Sequence, residues 1–250
     1  MSKRRWKQFF YGLVFFLIFF ALIGLVAFKW NGSKVCLTQA QRNQVAGVGC
    51  SGSCQTCQTA MARIKIESAN VILYADGTMD LYAQVSDRDQ SHGLKNFSYQ
   101  FLVQGNQPNQ AEVFAGQSYI FPSEQKYVIE SNLKQPNFFV AKVSFNLNFN
   151  QADWLPLASA NSNVAINLLN NRFKNKTLSF EVSNGGSIVY KKINLNFLIL
   201  DQNNNIIGTA KSYLEQLQPL GRYQGVLNLP PLSGQPVNLI FQPDSNLYTD

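Results

Sequence analysis

Cys36, Cys50, Cys54 and Cys57 fall within 22 positions and are all the cysteines the chain has. An even number of thiols at such spacing forms two disulfides in an oxidising compartment. Four thiolates ending in C-x-x-C can equally hold a tetrahedral zinc ion. A redox pair at Cys54-Gln55-Thr56-Cys57 would need a βαβ frame, and none surrounds it. Redox compartment decides between the first two uses, so the choice rests on what precedes the cysteines. Closing Cys54 onto Cys57 makes a very short loop, which favours Cys36–Cys54 with Cys50–Cys57 among the three connectivities.

Other chemistry is sparse. Nucleophilic triads need an imidazole to carry the proton, and His92 is the only histidine. It sits in the hydrophilic segment Asp87-Arg88-Asp89-Gln90-Ser91-His92-Gly93 and reads as a loop histidine. Asp87 and Asp89 offer oxygen ligands at i, i+2, but the acidic run of a calcium loop does not continue, so turn chemistry is their expected use. No carboxylate pair stands out as a glycosidase acid and nucleophile. Gly185-Gly186 reads as a turn rather than a phosphate cradle. No catalytic residue, metal or cofactor is expected, and the chain is read as a non-enzyme.

The element that sets the compartment is residues 9–28, FYGLVFFLIFFALIGLVAF with Phe9 before it, which carries no charge. About 20 residues at 1.5 Å rise span a hydrocarbon core of roughly 30 Å. Lys3-Arg4-Arg5-Trp6-Lys7 precedes the span, and the positive-inside tendency places that end in the cytoplasm, with Trp6, Tyr11 and Trp30 as interfacial anchors. A cleaved secretory signal would have a shorter apolar region ending in small residues, whereas Ala27-Phe28-Lys29-Trp30 is bulky. The expected layout is therefore a basic tail at 1–8, a transmembrane helix at 9–28, a cysteine-rich stalk at 29–60, and everything beyond outside the cytoplasm. Disulfides are the expected state of the cysteines there, with zinc as the alternative.

The net charge of +7 points the same way. Five of the 21 basic residues lie in the first 30 positions and all 14 acidic ones lie beyond, leaving the rest at +2. That near-neutral remainder has no basic stripe, which argues against nucleic acid as a partner.

From Ala62 on, the hydrophobic period is two. Ile64, Ile66, Val71 and Leu73 alternate with polar neighbours. Asp76-Gly77 signals a hairpin, and Met79, Leu81, Ala83 and Val85 follow. Strands are also expected around Phe97–Val103, Tyr127–Ile129, Phe139–Phe149, Ile193–Ile199, Val226–Leu229 and Val237–Phe241. The polar stretch Ser159–Asn163 divides the pattern into expected β-sandwich domains at 61–158 and 159–250. The halves share an offset of 96, matching Tyr99 with Leu195, Phe101 with Phe197, Tyr127 with Tyr223 and Leu133 with Leu229. With one residue of slip, Ala83–Asp87 matches Phe180–Asn184. A tandem duplication explains these matches. Trp154, near the division, reads as a packing plug.

Two resemblances follow. Cys36-x13-Cys50-Ser51-Gly52-Ser53-Cys54-Gln55-Thr56-Cys57, with Asn43 and Gly47-Val48, resembles a four-cysteine repeat of secreted bacterial proteins. Thr38, Val45 and Gly49 replace its acidic positions, so the covalent frame is what the resemblance implies. In the second half Phe197-Leu198-Ile199-Leu200-Asp201, Val182-Ser183-Asn184, Ile206-Ile207-Gly208 and Leu217-Gln218-Pro219-Leu220-Gly221 resemble the FxLYD family of small immunoglobulin-like sandwiches and, more distantly, the late-embryogenesis-abundant sandwiches. Asp87–Gly93 resembles the N-P-N-x-x-x-G loop of the same group. These resemblances imply an all-β ectodomain of two tandem immunoglobulin-like antiparallel sandwiches in a cell envelope, and no reaction. The expected function is a single-pass, membrane-anchored binding or spacer protein whose partners are the membrane and an envelope protein or wall material. The alternative is an envelope hydrolase using a carboxylate pair.

Overall fold

The computed structural model describes residues 48–51, 63–156 and 164–248. The expected span at 9–28, Cys36, Cys54, Cys57 and the dividing stretch at 159–163 lie outside the described residues. Among the described residues no helix is long and apolar enough to cross a membrane, and the protein there is all-β apart from one 3-10 turn at Gln151–Asp153.

In the N-terminal half the strands are β1 (Val48–Ser51), β2 (Ile64–Leu73), β3 (Thr78–Asp87), β4 (His92–Gln104), β5 (Ala111–Ile120), β6 (Gln125–Lys134), β7 (Lys142–Asn150) and β8 (Trp154–Pro156). The C-terminal half holds β9 (Ile166–Lys174), β10 (Thr177–Asn184), β11 (Tyr190–Leu200), β12 (Ile206–Leu217), β13 (Arg222–Asn228) and β14 (Asn238–Asp244). One N-terminal sheet runs β2-β3-β6. The other runs β7-β4-β5, extended by β1 on β7 and by β8 on β4. The C-terminal half repeats the two three-stranded orders as β9-β10-β13 and β14-β11-β12.

The repetition extends to register. Phe101 stands opposite Phe145 and Phe114, and Phe197 opposite Phe241 and Ala210, so this sheet recurs at a separation of 96 residues. In the other sheet β3 and β6 recur at 97, since Val85 faces Lys126 where Val182 faces Tyr223, while β2 recurs as β9 at 102. The expected match of Tyr127 with Tyr223 is therefore off by one, and Lys126 holds the position of Tyr223. Leu133 and Leu229 are not equivalent either, because β6 carries a bulge opposite Asp80 and Leu229 lies beyond β13.

Alternation builds the cores. Met79, Leu81, Ala83 and Val85 of β3 meet Phe97, Phe101 and Val103 of β4 and Phe145, Leu147 and Phe149 of β7 in one cluster. Leu178, Phe180 and Val182 of β10 meet Ile193, Leu195 and Phe197 of β11 in another. Each such large side chain contributes about 1.5–3 kcal/mol by leaving water. Rings at equivalent places interlock, with Phe101 and Phe145 centroids 4.8 Å apart and Phe197 and Phe241 5.3 Å apart. Gly225 lies opposite Phe180, whose ring would be 2.4 Å from any added Cβ, so the aromatic face covers a strand position that has no side chain of its own.

The Asp76-Gly77 hairpin forms as read, with Gly77 at φ 83° and Asp76 accepting from the Thr78 amide. Trp154 packs tilted against Phe149 at 6.1 Å, closing the end of the N-terminal core. Phe139 departs from expectation. It lies in the loop before β7 and is 75% exposed, because Pro136 and Asn137 delay the strand until Lys142. Within the segment read as a stalk, Val48–Ser51 pairs in parallel with Leu147–Asn150, placing the Cys50 backbone opposite Phe149.

Candidate functional site

The sequence-nominated loop Asp87–Gly93 joins β3 to β4 and is built from Asx turns. Asp87 accepts from the Asp89 amide at 2.8 Å, and Asp89 accepts from the Ser91 amide and hydroxyl at 2.8 Å. Turn chemistry is thus what the two aspartates do, but their carboxylates point inward: Asp87 is 4% exposed and Asp89 8%. Arg63 pairs with Asp89. Burial opposes ionisation of Asp89, yet the Ser91 hydrogen bonds and the Arg63 charge hold it below the usual carboxylate range. Asp87 has no such help at Oδ2, which lacks a partner, and burial pushes its carboxyl up to about 7.

Ser91, His92 and Asp89 sit together without forming a relay. Ser91 Oγ is 2.9 Å from His92 Nδ1, and Asp89 Oδ2 approaches the same nitrogen at 3.5 Å. A catalytic triad uses the two imidazole nitrogens for different partners. Here both partners meet one nitrogen, and the Ser91 hydroxyl is already directed at Asp89.

The larger constellation lies where the two halves meet, on residues the sequence did not nominate. β6 is the edge of its sheet, and the outer face of the sheet β12-β11-β14 lies over it. Gln242 on β14 uses its carboxamide like a residue of a neighbouring strand, accepting from the Tyr127 amide at 2.7 Å and donating to the Tyr127 carbonyl at 3.0 Å. Lys211 on β12 donates to the next outward carbonyl, Ile129. Edge groups that would otherwise face solvent or another chain are thereby occupied.

Buried charges fix the two ends of this contact. Asp80 sits at the β6 bulge, 1% exposed, and its carboxylate accepts from the Tyr74 hydroxyl at 2.5 Å, the Asn132 amide at 2.8 Å, and the Thr209 amide and hydroxyl at 3.0 and 2.7 Å. The first two donors belong to the N-terminal half and the others to β12. Burial and the Asp80 charge push the Tyr74 hydroxyl far above its ordinary range, so it stays a donor. At the other end Lys126, 1% exposed, bonds Asp244 at 2.9 Å and lies 3.3 Å from the Tyr119 ring centroid. Burial would raise Asp244, but the Lys126 charge and the Tyr119 hydroxyl more than offset it, and the carboxyl stays below the usual range.

An aromatic seam closes the joint. Phe121 packs at 5.1 Å from Tyr119 and at 5.2 Å from Tyr248, near the end of the described chain. Gly93 makes room for Tyr248, since an added Cβ would lie 2.3 Å from its hydroxyl. A cleft of about 350 Å³ opens beside Asp80, lined among others by Asn132, Thr209, Lys211 and Pro230. Its one buried carboxylate is saturated by four donors, so it is a tie and not a free base.

Among the described residues no group of three or more His, Cys, Asp or Glu side chains converges as a metal site. No protein-family model matches the chain, and none of the curated proteins shows significant similarity to it.

Proposed function

We propose that this chain is a membrane-anchored, extracytoplasmic binding or spacer protein of a cell envelope. In this reading residues 9–28 anchor it, the 29–60 segment is clasped by disulfides among Cys36, Cys50, Cys54 and Cys57, and two tandem immunoglobulin-like sandwiches arising by duplication stand outside. The observation that supports it best is the use made of the buried polar groups. Asp80 and Lys126, both buried, and the half-buried Asp244 and Gln242 tie one half to the other, as a module that holds surfaces at a fixed separation requires. The repeated strand order and the FxLYD-like motifs of the second half support the immunoglobulin-like assignment.

External protease on intact cells tests the topology. Loss of a C-terminal epitope is expected, and its full protection in cells shown to be accessible reverses the assignment. One observation favours the hydrolase alternative: Asp87 is pushed up while Asp89 is held down, the split that separates an acid from a base. Both carboxylates face inward and Asp89 is taken by Arg63 and Ser91, so the split is read as structural. Turnover of wall glycan or peptide by the purified protein, lost in Asp87→Asn without loss of stability, restores the hydrolase.

A further inference from the structure

The internal joint is one half of a pattern that the duplication offers twice. An edge, β6, meets the outer face of the sheet β14-β11-β12. The same face of the N-terminal half, on β7-β4-β5, is open: Gln100, Val113 and Ala115 are exposed and Leu102 is half-buried. The edge equivalent to β6 is β13, and no described strand pairs with its outer side. We infer that the open β7-β4-β5 face of one copy receives the β13 edge of a second copy, repeating the internal joint between molecules.

Register makes the match specific. At the separation of 96, Val113 stands where Thr209 stands, Ala115 where Lys211 stands, and Asn146 where Gln242 stands. At the separation of 97, Gln224 and Val226 of β13 replace Tyr127 and Ile129 of β6. Val226 is 66% exposed and Val113 54%. Val226 takes the place of Ile129, which meets Lys211 in the internal joint, and Val113 the place of Thr209, which meets Asp80, so two of the exposed large apolar side chains fall on the paired surfaces. Asn146 supplies the carboxamide that can cap Gln224, as Gln242 caps Tyr127. The centre of the open face carries no charge at Gln100, Leu102, Val113, Ala115, Ser144 or Asn146, with Lys142 at its end, and an interface core is likewise depleted of charge. The β13 edge has neither lysine nor proline along Arg222–Asn228 to discourage pairing.

The contact is heterologous, with different surfaces on the two copies, so repetition gives a row or a ring. It lacks counterparts of the Asp80–Thr209 and Lys126–Asp244 ties, which makes it a weak contact whose occupancy rises with surface density. It uses the tied two-sandwich module of the proposed function and names that module's partner as a second copy.

The test uses the full chain in its membrane, with p-benzoylphenylalanine in place of Ala115. Irradiation is expected to give a product of twice the monomer mass that joins position 115 to the peptide containing Arg222–Asn228. Val226→Lys is expected to lower its yield at least tenfold, and adding Val113→Asp to restore it, a rescue that misfolding would not produce. Adducts only to another protein or to glycan, a dimer joined elsewhere, or no adduct at all overturn the inference. Protease accessibility of the same cells separates the two readings: an accessible ectodomain without the dimer removes self-association alone, whereas a protected one removes the proposed topology.

Discussion

Ser98, Gln100 and Leu102 on β4 hold the same places as Asn194, Asn196 and Leu198 on β11, in the same strand of the same sheet order. On β4 they alternate outward with the core residues Phe97, Tyr99, Phe101 and Val103, and both Ser98 and Gln100 are exposed. On β11 burial becomes continuous from Leu195, with Asn196 at 4% and Leu198 at 0% exposure. Local sequence barely separates the two strands, since Leu102 and Leu198 are the same residue. What lies on top separates them: the β6 edge covers β11, and no described element covers β4. A sheet face in this molecule is thus made interior by its neighbour rather than by its own composition.

The largest effect is expected where the covering is tied. Asp80→Ala removes the carboxylate that accepts from the Tyr74 hydroxyl, the Asn132 amide and the Thr209 amide and hydroxyl, at about 3–4 kcal/mol for such a set of buried donors. Denaturant titration should show that loss and a split of one transition into two as the halves uncouple. A single unsplit transition at the wild-type midpoint would mean that Asp80 does not couple them.

Matched truncations sharpen the comparison. Leu198→Ala removes a fully buried side chain and is expected to cost about 2–4 kcal/mol, while Leu102→Ala at the half-buried equivalent should cost about 1 kcal/mol or less. Equal losses measured by thermal or chemical unfolding would show that β4 is covered too.

A third comparison sets Asp87 against Asn184, the same position of β3 and β10 at the separation of 97. Each accepts from the amide two residues on, Asp89 and Gly186 respectively. Asn184 also donates from Nδ2 to the Ile188 and Leu217 carbonyls, whereas Asp87 Oδ2 has no partner. Because the folded Asp87 titrates at about 7 against an ordinary 3.8, its stabilising contribution is whole below about pH 4 and is lost as pH rises to 7 and beyond. Glu124, also raised by burial, acts in the same direction, while depressed Asp89 and Asp244 act oppositely and lose their contribution in acid. Asp87→Asn is expected to raise stability by about 1–3 kcal/mol at pH 8 and to flatten the profile between pH 5 and 8. A destabilised variant at pH 8 would show that the carboxylate has a use the fold does not reveal.

The smallest effect concerns the glycine under the ring. Gly225→Ala should cost about 1–2 kcal/mol because Phe180 must move. Gly116→Ala, under Tyr99, should cost more, because moving that ring also breaks the hydrogen bond of its hydroxyl to Glu130. Calorimetry of the two variants ranks them.

Strand alternation was legible because Met79–Val85, Phe97–Val103 and Ile193–Ile199 each bury one face against their own half. β5 and β12 carry no such alternation in the sequence: Gly116, Gly208 and the small or polar residues around them break the apolar rhythm. The joint was invisible for a different reason. Asp80, Thr209, Lys211 and Gln242 occupy outward positions, where polar residues are what a solvated face shows. One local sign was present in Phe197-Leu198-Ile199-Leu200, four apolar residues in succession. Such a run marks a strand buried on both faces, and here it coincides with the FxLYD-like motif, which accounts for only one of those faces.

The capping of β6 by Gln242 has a mechanical consequence. A carboxamide presents an N–H and a C=O side by side, so it fits any outward-facing residue of a strand edge equally well, and such residues recur about every 6.6 Å. By itself Gln242 would let the C-terminal half click along β6 in two-residue steps, as a pin drops into successive notches of a rack. Lys211 needs a carbonyl whose neighbouring amide it does not have to satisfy, and Thr209 needs the carboxylate of Asp80, which occurs once. The first sets the pitch and the second selects the notch, so the two halves are indexed against each other as a detent holds a dial.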